Sequence, residues 1–104
     1  MKEMSVHELK EKLDNGEAIK VIDVREPDEA EICTIGAELI PMGSIMDRVE
    51  ELPRDRPLVI HCRSGKRSGK VVEKLEELGF DNTYNLEGGI LAWSDEIDPS
   101  LPKY

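Results

Sequence analysis

The chain has 104 residues, 38% of them hydrophobic and 36% charged, with a formal net charge of −9. That length supports one modest core, and no apolar run approaches the ~20 residues a membrane-spanning helix needs. The acidic balance excludes a general nucleic-acid binder, which needs phosphate contacts spread over a basic face.

The elements alternate along the chain. Ser5 and Glu8 form a capping box, and Val6, Leu9 and Leu13 follow at helical spacing until Asn15-Gly16 stops the helix. Met1 to Glu8 lacks the apolar core of a signal peptide, so the chain is expected in the cytoplasm. Ala18 to Asp23 is rich in β-branched residues and reads as a strand. Pro27 to Ile32 predicts a short helix with proline in its first turn. Ala37 to Pro41 predicts a short strand, and Ser44 to Leu52 an amphipathic helix with Ile45, Val49 and Leu52 on one face. Leu58 to His61 is the most apolar strand and is expected at the centre of a sheet. Arg67 to Leu78 predicts a helix with Val71, Val72, Leu75 and Leu78 facing the core, closed by Gly79. Asn82 to Asn85 reads as a last short strand, Gly88 to Ile97 as a last helix and Asp98 to Tyr104 as a tail.

This alternation predicts one α/β domain over residues 1–104, with a small parallel sheet and helices on both faces. Functional groups in such folds collect beyond the carboxyl ends of the strands. Two strands end in reactive residue types, Asp23-Val24-Arg25 and His61-Cys62-Arg63, and the rule places them on the same sheet edge.

Cys62 is the candidate nucleophile. A cysteine acts as its thiolate, which nearby cations and a helix N-terminus favour. Arg63, Lys66 and Arg67 supply the cations, in an otherwise acidic chain. Ser64 and Gly65 are small enough for the loop to curl and point successive N–H groups inward, and Arg67 and Ser68 open the helix whose dipole adds positive potential. The sulfur is expected to be reachable from solvent. Arg67 is the first candidate for holding an oxyanion through its bidentate fork, Arg63 for facing substrate, and Asp23 for orienting Arg25 or loop amides. His61 should point away from Cys62 along the strand and is rejected as a general base. His7 is expected on an exposed helix face and Trp93 in packing. Cys33 reads as a small, half-buried residue. The two cysteines form no CxxC pair, and no His/Cys cluster suggests a metal, so no cofactor is called for.

Two chemistries can use this cradle. Cysteine phosphatases carry an arginine at the sixth position after the nucleophile, where Ser68 stands here, so the loop is one residue short for a phosphate. A smaller ring of amides suits a single sulfur atom, as in sulfur transfer through a cysteine persulfide.

Four segments in order carry a resemblance: Val21 to Pro27, Ile35-Gly36-Ala37, the loop Cys62 to Arg67, and Tyr84 to Trp93. Together they resemble the single-domain rhodanese sulfurtransferases. The ending from Trp93 is similar to rhodanese domains fused to adenylyltransferases that activate ubiquitin-like sulfur carriers. The resemblance implies a twisted parallel sheet of about five strands. It also implies a Cys62 persulfide loaded from a donor such as thiosulfate and unloaded by a second nucleophile. Partners would be small anions such as thiosulfate and sulfite, thiol acceptors, and a sulfur-carrier protein or cysteine desulfurase. Asp23 and Arg25 would match the family's early Asp and Arg. Glu31 to Ala37 departs from the family by lacking the His and Pro that often precede the third strand.

Overall fold

β4 (Leu58–His61) is buried along its whole length because a strand pairs with each of its edges and helices cover both its faces. The computed structural model describes residues 1–104. The other strands are β1 (Glu3–Met4), β2 (Lys20–Asp23), β3 (Glu38–Leu39) and β5 (Thr83–Leu86). All pair in parallel, in the order β1-β5-β4-β2-β3. The helices are α1 (Val6–Asp14), α2 (Pro27–Ile32), α3 (Met42–Ile45), α4 (Lys66–Glu77) and α5 (Gly89–Glu96), with a 3-10 segment over Met46–Glu51.

Side chains alternate across a strand, and that alternation divides the core. Leu58 and Ile60 join Ile22 and Val24 against Ile45 of α3 and Val71, Val72 and Leu75 of α4. Val59 faces the other way, into a cluster with Val6 and Leu9 of α1 and Trp93 of α5. Each Leu or Ile buried this way contributes about 1.5–3 kcal/mol. The same alternation, carried past the strand end, puts the Cys62 side chain on the α4 face. His61 takes the opposite face, beside Asp23 of the neighbouring strand.

The α/β class and the five-stranded parallel sheet hold as expected, and four details differ from the sequence reading. β1 has only two residues and no pattern of its own; it exists because Asn85 N–H donates to the Lys2 carbonyl and Glu87 N–H to that of Met4. The helix expected over Ser44 to Leu52 starts at Met42 and tightens into the 3-10 segment, with a kink at Arg48 (φ −118°). Leu78, expected to face the core, lies at the helix end and is half exposed. Cys33 is fully buried rather than half-buried, packed at the end of α2.

Candidate active site

The Cys62 side chain leaves β4 at the point where the chain must reverse into α4. Gly65 makes that reversal in the left-handed region (φ 106°), where a residue with a Cβ is strained, and caps α4. The reversal turns the first amides of α4 onto the sulfur. Gly65 N–H donates to Cys62 Sγ at 3.1 Å and Ser68 N–H at 3.4 Å, and the Ser68 hydroxyl lies 3.3 Å away. These contacts and the α4 dipole favour a negative charge on sulfur. Burial pushes the thiol up, but the Ser68 hydroxyl and the Ser68, Gly65 and Ser64 amides outweigh it and hold the thiol below its ordinary range.

A second helix holds the outside of the loop. The carbonyls of Cys62 and Arg63 accept from the N–H groups of Ile90 (3.0 Å) and Leu91 (3.1 Å) in the first turn of α5. The loop carbonyls are thereby turned outward while its amides turn inward. Gly89 permits this approach: a Cβ there would lie 2.5 Å from the Arg63 carbonyl oxygen and 2.7 Å from that of Cys62. Gly89 is thus a close-packing device beneath the loop.

The remaining candidates divide. Arg63, Ser64 and Lys66 are exposed on the rim, and the Arg63 guanidinium lies 5.2 Å from the centre of the Tyr104 ring. Arg67 is not a free anion clamp. Its fork grips the Glu29 carboxylate at 2.7 and 2.8 Å. The Arg67 hydrogen bonds, against the opposing effect of burial, hold the Glu29 carboxyl down to about 2. Glu29 lies 38 residues away in sequence, and no local pattern marks it as a partner.

Asp23 and Arg25 form a buried cluster of their own. Arg25 Nη2 donates to Asp23 at 2.7 Å and to the Cys33 carbonyl at 2.8 Å, while Nη1 reaches the carbonyls of Tyr104 (3.1 Å) and Glu29 (3.3 Å). Arg25 thus ties β2, α2 and the tail together, and it touches the loop only through Glu29. His61 is fully buried, and desolvation, partly offset by the Asp23 charge, pushes its pKa down, so it is neutral near pH 7. His7 is exposed and pairs with Glu96 at 2.9 Å, and Trp93 packs in the core.

Contrary to the expectation from the sequence, the resting sulfur is closed off from solvent. Cys62 is 1% exposed, and none of the surface depressions is lined by it. It lies at the floor of the loop, beneath exposed Arg63 and Ser64. Arg63 and Ser64 thus form an arch over Sγ.

Asn85 went unnoticed at the sequence level. Its side chain enters the site from β5, taking the Ser68 hydroxyl proton at 2.5 Å and donating to the Gly65 carbonyl at 3.1 Å. In sequence it is one more polar residue in a short strand.

The chain is similar over nearly its whole length to several known proteins. It is 45% identical over 100 residues to YtwF of Bacillus subtilis, covering 95% of this chain and 96% of that one. It is 38% identical over 93 residues to a protein of Allochromatium vinosum named "Sulfurtransferase", covering 88% of this chain and 87% of the relative. The match to "Probable adenylyltransferase/sulfurtransferase MoeZ" of Mycobacterium tuberculosis is 38% over 100 residues; it takes in 93% of this chain, which spans only 26% of that relative. Among solved structures, a rhodanese-like domain protein from Staphylococcus aureus superposes with a TM-score of 0.84 at 38% identity, covering 100% of this chain and 99% of that one. The rhodanese-like domain model matches residues 5–96. With that match enclosing β2 to β5, the Cys62 loop and Gly89 beneath it, the chain belongs to the rhodanese-like domain family.

Proposed function

We propose that this protein is a sulfurtransferase that carries a sulfane sulfur on Cys62. The reading rests on the two main-chain N–H groups, of Gly65 and Ser68, that converge on Cys62 Sγ at the N-terminus of α4. In the loading step the Cys62 thiolate attacks the outer sulfur of thiosulfate. A new S–S bond forms, the old one breaks, and sulfite leaves with its electron pair. In unloading, a thiolate or cyanide attacks the outer sulfur of the persulfide, and the electron pair of the broken bond returns to Cys62 Sγ. Charge is conserved in both steps, and the loop amides serve the anion on either sulfur. A reducing compartment such as the cytoplasm suits this chemistry, and both cysteines are free thiols.

The covered sulfur and the paired Arg67 favour a second arrangement of the same chemistry. A dedicated protein donor or acceptor, such as a sulfur-carrier protein or a cysteine desulfurase, would lift the arch on docking, and free thiosulfate would turn over slowly.

Intact-protein mass spectrometry after incubation with thiosulfate or a small-molecule persulfide tests the proposal. The expected result is a gain of one sulfur atom mapped to the Cys62 peptide, absent in Cys62→Ser and reversed by cyanide. No gain with either donor, in protein whose Cys62 still reacts with an alkylating agent, contradicts it.

A further inference from the structure

The Asn85 side chain is fixed by chemistry. Its Nδ2 faces the Gly65 carbonyl, which only accepts, so the amide cannot be flipped without placing two acceptors together. Oδ1 therefore faces Ser68 Oγ at 2.5 Å. A serine hydroxyl has one proton and two lone pairs. With that proton given to Asn85, Ser68 Oγ can only accept from Cys62 Sγ, 3.3 Å away. Space for this side chain is built into α4. A Cβ on Gly69 would lie 3.3 Å from Asn85 Nδ2, and one on Gly65 3.6 Å. Ser68 is fully buried and Asn85 nearly so, so water does not compete for these bonds.

We propose that Asn85 is a positioning residue that sets the direction of the Ser68–Cys62 hydrogen bond. In the resting thiol, S–H donates to Ser68 Oγ and Ser68 donates to Asn85 Oδ1. When the sulfur becomes an anion, the Ser68 hydroxyl rotates and gives its proton to Sγ, at the expense of its bond to Asn85. The hydroxyl is thus a two-position donor, and Asn85 competes with the sulfur for it. The pair holds the thiol quiet at rest and still supplies a third donor once charge develops.

The significance for turnover rests on the sulfur-transfer reading, but the test reads only titration of the thiol, so either can fail alone. Thiolate absorbance near 240 nm, corrected with Cys62→Ser, gives the Cys62 midpoint in wild type, Ser68→Ala, Asn85→Ala and the double variant. With Asn85 present, removing Ser68 is expected to raise the midpoint only slightly, because the hydroxyl serves the thiolate only by giving up its bond to Asn85. With Asn85 gone, Ser68 is an uncontested donor, and removing it is expected to raise the midpoint by about one unit, a tenfold change in the ionisation constant. Asn85→Val, which favours a strand, replaces Asn85→Ala in the cycle if the latter does not fold. An equal Ser68→Ala shift in both backgrounds, or a larger one with Asn85 present, overturns the proposal.

Discussion

Two strand ends lie side by side on one sheet edge, and they use polar groups in opposite ways. Asp23 and His61 are register partners at the ends of β2 and β4. Beyond β2, the charges of Asp23 and Arg25 are closed on each other and on carbonyls of α2 and the tail. Beyond β4, uncharged main-chain N–H groups point at a single sulfur. A buried ion pair with saturated hydrogen bonds stabilises and orients. Donors aimed at an atom that can become charged prepare it for reaction. The difference is one of partners rather than of net charge, and the cations that draw attention in the sequence are not the groups touching Sγ.

The comparison can be broken at several points. Cys62→Ser is expected to abolish sulfur uptake, seen as loss of the mass gain. Arg25→Met leaves Asp23 buried without its partner and is expected to cost about 3–5 kcal/mol in a denaturant titration. Gly89→Ala forces the α5 start away from the loop carbonyls and is expected to cost about 3 kcal/mol by the same measurement. Glu29→Gln removes a carboxylate whose folded pKa, about 2, is depressed from its ordinary 4.5. That group contributes stability above pH 4.5, and the contribution is lost as pH falls toward 2. The substitution should therefore cost about 1–2 kcal/mol near neutrality, allowing for solvent around Arg67, and progressively less in acid. His7→Ala, at an exposed pair, should change stability by less than about 0.5 kcal/mol.

How much was legible follows from which signals are local. The β4 run, the small residues of the loop and the periodicity of α4 are carried by consecutive residues, so the position of Cys62 at a strand–helix turn could be read directly. The α/β class followed from alternation. The partners were not legible, because Arg67 with Glu29, Ser68 with Asn85, and Arg25 with Tyr104 are joined only by the fold. An arginine beside a cysteine looks like an anion clamp until the carboxylate that occupies it is seen. β1 is set by hydrogen bonds from β5 and has no signal of its own. The burial of Cys62 was missed because exposed Ser64 and Arg63 suggest an open loop, whereas the sulfur lies on its inner side.

The claim that main-chain donors keep Cys62 reactive is tested most directly by the pH profile of its alkylation by iodoacetamide, resolved by peptide mass. The account predicts reaction in the native protein with a midpoint below the ordinary thiol value of about 8.5. A midpoint above that value, or a Cys62 that reacts only after unfolding, contradicts it.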